Sequence, residues 1–172
     1  MDARAGNGNG QGRQTGTSRG AAVVSVNVSP ARGGCKEPVE QARLRAGHGI
    51  VGDGHAGSWH RQVSLLAMES IGKMRARGLE VGPGDFAENL TTEGIDLVAL
   101  PVGTRMRVGE VLAEVTQIGK RCHDRCEIFR LAGDCVMPRE GIFVRVLEGG
   151  EVRSGDAIKV TGGPEASPEG GA

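Results

Sequence analysis

The sequence predicts a mainly β fold, a β-barrel in preference to a sandwich. Three observations carry the prediction. Short β-branched runs recur along the chain, each closed by Gly, Pro or Asp-Gly punctuation. Glycine is abundant, at 30 of 172 residues, and much of it separates apolar runs as a turn-rich β fold requires. Only one segment has clear helical periodicity. Aromatics are scarce, with one Trp, three Phe and no Tyr, so the core must be built from Val, Leu, Ile, Ala and Met.

Taken in order, residues 1–20 are rich in Gly, Arg, Asn and Gln without apolar periodicity. Such a segment buries too little to offset its ordering entropy and is expected to be disordered. The tail 162–172 reads the same way, leaving 21–161 as one folded domain. Ala22–Val28 is β-branched and closed by Ser29-Pro30, a strand and a turn. Glu40–Arg45 and Gln62–Leu66 read as further strands, flanking a glycine-punctuated loop, Gly47–Gly57 (GHGIVGDGHAG). Ala67, Ser70, Ile71 and Met74 recur at helical spacing, with Gly78 placed as a stop. Short strands are then expected at Phe86–Leu90, Thr104–Val108 and Val111–Ile118. Cys126–Leu131 suits one or two helical turns, and Ile142–Leu147 and Ala157–Val160 complete the strands.

Lys plus Arg and Asp plus Glu balance at 21 each, so no net field recruits nucleic acid or an acidic membrane. No apolar run is long enough to span a bilayer, and no hydrophobic segment precedes a cleavage site. A cytoplasmic protein with reduced thiols is the expectation.

The chemistry concentrates in Gln117–Phe143 (QIGKRCHDRCEIFRLAGDCVMPREGIF), which holds three of the four cysteines. Lys120, Arg121, His123 and Arg125 surround Cys122 and favour a thiolate, the reactive form of the group. The opposing reading is a small buried hydrophobe. Cys122, Cys126 and Cys135 with His123 also make a zinc-ligand inventory, although C-x3-C is less characteristic than C-x2-C. A resolving role for Cys126 or Cys135 toward Cys122 is equally open. Asp53 and His55 suit the wall of a polar pocket, or alternatively a turn in which Asp53 caps backbone N–H groups. Lys36, Arg61 and Lys120 are candidates to hold an anion, or else solvated surface charges. Asn89 suits either a ring-edge contact or a turn.

Six blocks in order extend this reading: GDGHAG (Gly52–Gly57), RQVSLL (Arg61–Leu66), GDFAENLTTEGIDL (Gly84–Leu97), LPVGTRMRVG (Leu100–Gly109), EVTQIGKRC (Glu114–Cys122) and GIFVRVLEGGEVRSGD (Gly141–Asp156). Together they resemble a stand-alone bacterial MOSC domain, the module named after the C-terminal part of molybdenum-cofactor sulfurase. The likeness runs from about Ala22 to Val160. It implies a closed β-barrel of the pyruvate kinase barrel-domain type with one or two short helices. It also implies molybdenum-cofactor or sulfur chemistry, with Cys122 as the family's characteristic cysteine, carrying sulfur or ligating molybdenum. Lys36, Asp53, His55, Arg61, Asn89 and Lys120 would then bind the molybdenum cofactor (molybdopterin). The chain has no aminotransferase-like domain, so pyridoxal phosphate is not expected. Expected partners are a sulfur donor such as a cysteine desulfurase, or molybdenum-cofactor enzymes. Two other functions stand beside this one: a molybdenum-dependent reductase of N-hydroxylated compounds, and a non-catalytic zinc-binding module.

Overall fold

The structure, a computed structural model, describes residues 20–122 and 126–164. Of the two predicted disordered tails, only residue 20 and residues 162–164 are described, and Gly162 is the last residue of the final strand. Among the described residues, eleven strands are joined by three short helices and one 3-10 turn at Leu97–Ala99. The strands are β1 (Ala22–Val28), β2 (Glu37–Val39), β3 (Gln41–Arg45), β4 (Gly49–Ile50), β5 (Val63–Ala67), β6 (Leu90–Glu93), β7 (Arg105–Val108), β8 (Val111–Ile118), β9 (Ile142–Glu148), β10 (Gly150–Arg153) and β11 (Ile158–Gly162). The helices are α1 (Met68–Arg75), α2 (Glu127–Ala132) and α3 (Met137–Glu140).

The expected mainly β class is what the chain adopts, but among the described residues the sheet does not close into a barrel. Eight strands form one sheet in the order β11-β7-β8-β9-β5-β6-β1-β2, and β10-β3-β4 form a second. The short edge strand β2 pairs with β1, and β11 ends the other side. A single bridge, Ala22 to Ala157, links β1 to the entry of β11. Closure requires a continuous ladder between the end strands, and one bridge does not supply it.

The central strands explain why the site lies where it does. In β5 every residue is buried, because both faces of the strand are covered. Val63, Leu65 and Ala67 point into the main core with Val26, Met106, Val115, Ile142 and Val144. Leu66 points the opposite way, into a second cluster with Ile71, Met74, Phe86, Cys135, Met137 and Phe143. Period-2 alternation thus places Ser64 of β5 and Phe143 of β9, which are register partners, on the face covered by the helices. Burying one such Leu or Phe side chain stabilises the fold by roughly 1.5–3 kcal/mol.

Helix α1 forms the crossover between β5 and β6, a parallel pair among otherwise antiparallel described neighbours. It ends as the sequence anticipates. Leu79 N–H bonds to Met74 O at 3.3 Å and Gly78 N–H to Arg75 O at 2.9 Å, the paired bonds of a Schellman stop. The strand expected at Phe86–Leu90 is instead a turn and loop, with β6 starting only at Leu90. Ala87 has a φ of 62°, which breaks an extended run. The fully buried Glu88 holds the loop in place, accepting from Gly84 N–H at 2.7 Å, Phe86 N–H at 3.2 Å and the Thr91 hydroxyl at 2.7 Å. Burial still pushes the Glu88 carboxyl above its ordinary value, against those hydrogen bonds.

Candidate functional site

A cavity of about 100 Å3 lies on the helix-covered face of β5 and β9. His55, Arg61, Asn89 and Lys120 line it together with Ser64, Trp59 and Phe143. Four of the six predicted cofactor-binding residues therefore meet in one wall. The other two, Lys36 and Asp53, stand behind it.

The glycine loop after β4 delivers His55. Asp53 N–H bonds to Ile50 O at 3.2 Å and Ala56 N–H to Asp53 O at 3.1 Å, a tight turn. Asp53 does not point into the cavity beside His55, as extended alternation would place it. Its Oδ1 accepts the His55 backbone N–H at 2.9 Å, and its Oδ2 accepts Ser29 N–H at 3.1 Å. The capping alternative is thus the geometry adopted. Asp53 Oδ2 also pairs with Lys36 Nζ at 2.6 Å, and both side chains are only 1% exposed. Lys36 is therefore not a solvated surface charge. Burial disfavours the Asp53 carboxylate, but the Lys36 and backbone hydrogen bonds and the Lys36 charge hold its pKa below the ordinary value.

Arg61 enters from the segment before β5. Its guanidinium stacks on Trp59, 4.6 Å from the ring centroid, and lies 5.6 Å from that of Phe143. Its Nε is buried without a hydrogen-bond partner. A buried charged donor left unpaired is costly. Trp59 is held by donating Nε1–H to His55 O at 2.8 Å. Sequence reasoning passed over Trp59, yet the one Trp of an aromatic-poor chain, next to an Arg-bearing loop, was an available signal.

Lys120 is set by the end of β8. Gly119 has a φ of 70°, and a Cβ there would lie 2.4 Å from Pro138 O. Only glycine lets the chain pass so close to α3. Lys120 N–H then bonds to Pro138 O at 3.0 Å, placing its side chain in the wall. Asn89 serves mainly as a staple: Nδ2 donates to Asn27 O at 3.2 Å, and Oδ1 accepts Ser64 N–H and Oγ at 3.1 and 3.2 Å. His60 is not among the lining residues; its Nε2 lies 2.8 Å from Gln117 Oε1.

Cys122 is exposed, two residues beyond Lys120, and Cys126 is exposed at the start of α2. Cys135 is different. It packs in the second hydrophobic cluster, and burial pushes its thiol up to about 11. His123 and Arg125, expected beside Cys122, lie outside the described residues. Among the described residues no group of three or more His, Cys, Asp or Glu could hold a metal ion. No described helix is long and apolar enough to cross a membrane.

Among solved structures the fold is similar to YuaD from Bacillus subtilis, with a TM-score of 0.67 and 19% identity over 80% of this chain and 93% of that one. It is also similar to YiiM from Geobacillus stearothermophilus, with a TM-score of 0.61 and 19% identity over 83% of this chain and 75% of that one. YiiM from Escherichia coli gives 0.60 and 21% over 83% and 70%. No curated protein matches the sequence. The sequence model of the MOSC domain matches residues 52–159, more than half of the chain and most of the elements that build the cavity wall. This chain belongs to the MOSC domain family, which is associated with molybdenum-cofactor-related functions.

Proposed function

We propose that the protein is a molybdenum-cofactor-binding or sulfur-carrier protein of molybdenum-cofactor biosynthesis, with Cys122 carrying sulfur or ligating molybdenum. The observation that carries this reading is the unpartnered Arg61 Nε in a wall shared with His55 and Lys120. A donor set of that kind suits an anion.

Size limits what the cavity takes. A water occupies about 30 Å3 of liquid, so about 100 Å3 admits an anionic end. Pockets that engulf a drug-sized ligand run to roughly 300–1,000 Å3. Arg61 and Lys120 would grip the anionic end of molybdopterin, and the exposed Cys122 would offer its thiolate to the metal. When bound, the cofactor supplies a redox-active metal; the residues here bind and orient it. As a sulfur carrier, Cys122 attacks as a thiolate on the outer sulfur of a donor persulfide. The new S–S bond forms as the donor's S–S bond breaks, and the donor leaves as a thiolate, so no external oxidant is needed. A cysteine desulfurase is the matching partner.

One preparation tests both forms. Protein purified without oxygen from a molybdate-fed host is analysed for molybdenum and pterin, and by mass spectrometry after reaction with a cysteine desulfurase and cysteine. Molybdenum near one per chain, or one added sulfur on the Cys122 peptide, is expected, and either is lost in Cys122→Ala. Sulfur or molybdenum retained in Cys122→Ala overturns the assignment, as does the absence of both from the wild type.

A further inference from the structure

Behind the cavity wall, Lys36 Nζ lies 2.6 Å from Asp53 Oδ2 and 3.2 Å from His55 Nδ1. An ammonium has donors and no acceptor, so His55 Nδ1 must accept and cannot carry a proton. The rival arrangement has Nδ1–H pointing at Asp53. That fails on distance, because Asp53 Oδ1 is 3.8 Å from Nδ1, beyond hydrogen-bond range. The same Oδ1 already takes the His55 backbone N–H at 2.9 Å. A doubly protonated ring would set N–H against ammonium. Burial and the charges of Lys36, Arg32 and Lys120 push the imidazole below its ordinary pKa, with Asp53 pulling the other way. A neutral ring with its proton on Nε2 is the arrangement that these contacts accommodate. Lys36 has no freedom to swing away, since it and Asp53 are both 1% exposed.

We infer that Lys36 and Asp53 form a tautomer lock that fixes His55 as an Nε2–H donor on the cavity wall, making a donor-rich subsite with Arg61 and Lys120 that takes a fully ionised oxyanion in preference to one that keeps a proton. The ring edge away from Lys36 is the one left for an occupant of the cavity that His55 lines. The Ser64 hydroxyl accepts Asn89 N–H at 3.0 Å and has one proton to give, to Asn89 Oδ1 at 3.2 Å or Ala87 O at 3.4 Å, while Asn89 Oδ1 also takes Ser64 N–H at 3.1 Å. Set against the donors of His55, Arg61 and Lys120, at most one of these two oxygens is spare, so an oxyanion hydroxyl gives up a donor contact that an acceptor-only anion keeps. Lys36 is a positioning residue, and His55 determines specificity. The inference rests on the proposed function only in taking this cavity as the binding site; it needs neither molybdenum nor sulfur.

Long-range proton–nitrogen NMR spectra of the full-length, nitrogen-15-labelled protein at neutral pH read the tautomer directly. The expected result is His55 with Nε2 protonated and Nδ1 bare, redistributing between tautomers in Lys36→Met. Calorimetric titration with sodium sulfate and sodium phosphate at matched ionic strength then reads selectivity, with sulfate expected roughly tenfold tighter or more. His55→Gln, whose amide N–H falls near the ring Nε2, keeps most sulfate affinity. His55→Asn, whose amide falls near Nδ1, loses roughly tenfold to a hundredfold. An Nδ1–H or imidazolium ring, phosphate binding equal to sulfate, no binding of either anion, or an unaffected His55→Asn overturns the inference. An Nε2–H ring with sulfate preference in a protein that takes up neither molybdenum nor sulfur at Cys122 sinks the proposed function and leaves this one standing.

Discussion

Replacing Lys36 by Met keeps the length and apolar body of the side chain and removes its charge. Asp53, 1% exposed, then loses its cation but keeps the Ser29 and His55 N–H bonds. Removing one partner of a buried pair costs about 3–5 kcal/mol, because the remaining charge is buried without compensation. The loss must depend on pH, and its sign follows from the carboxyl. In the native protein burial opposes the Asp53 charge, but Lys36 and the two N–H groups hold its pKa below the ordinary value. Its contribution is therefore present above the unfolded value of about 3.9 and lost as pH falls through the lower folded value. In Lys36→Met the burial remains while the lysine's opposing effect is gone, so the carboxyl titrates higher. Protonation then relieves the variant as pH falls, and the gap to wild type narrows. Urea unfolding at neutral pH and at about pH 4, with unchanged m-values, measures both gaps. A variant within about 1 kcal/mol of wild type at neutral pH, or a gap equal at the two pH values, refutes the reasoning.

Two further expectations follow from the same region. Gly84 has a φ of 89°, and a Cβ there would lie 2.1 Å from the Lys36 carbonyl oxygen. Gly84→Ala should cost at least about 2 kcal/mol, read as a lowered Tm by calorimetry; an unchanged Tm would show that the segment at Lys36 yields easily. Cys135 is buried with its thiol pushed up to about 11, while Cys122 and Cys126 are exposed. Brief iodoacetamide treatment of the native protein at mildly alkaline pH should label Cys122 and Cys126 and spare Cys135 until denaturant is added. Equal labelling of Cys135, located by peptide mass spectrometry, would show that the second hydrophobic cluster opens on that timescale.

The elements legible in the sequence were those whose signal is local. Strand β8, Val111–Ile118, alternates along its buried face, and α1 carries its apolar residues at helical spacing and a glycine stop. Strands β2 and β4 have three and two residues, too short for a period to register, and β10 has a single apolar residue besides its glycine. They exist because distant partners hold them, as Val152 pairs with Ala42. Sheet closure is likewise a property of the two end strands together, which no window of sequence contains. At the site, family likeness brought forward His55, Arg61, Asn89 and Lys120, and the fold gathers them in one wall. The Lys36–Asp53 pair spans 17 positions and depends on the path of the Pro30–Lys36 segment over the glycine loop. Its burial, and hence its hold on His55, had no counterpart in spacing. Cys135 illustrates the converse. Grouped by sequence with two reactive candidates, it turns out to be a packing residue, a role that cysteine takes readily.

The seam at the start of β1 has a consequence for how the chain is made. Ile158 N–H bonds to Ala21 O at 2.8 Å, Val23 N–H to Asp156 O at 2.9 Å and Gly155 N–H to Val23 O at 2.7 Å. The opening and closing segments of the folded unit are thus hydrogen-bonded neighbours. During synthesis, the first strand must wait for nearly the whole folded unit to emerge before these groups find their partners. Until then its outer edge is exposed, a hazard for unwanted strand pairing on the ribosome. The same adjacency makes the choice of first residue a matter of genetic order. A short linker could join the two ends, and a new start could be cut at an exposed turn elsewhere, without asking any strand to change its neighbours.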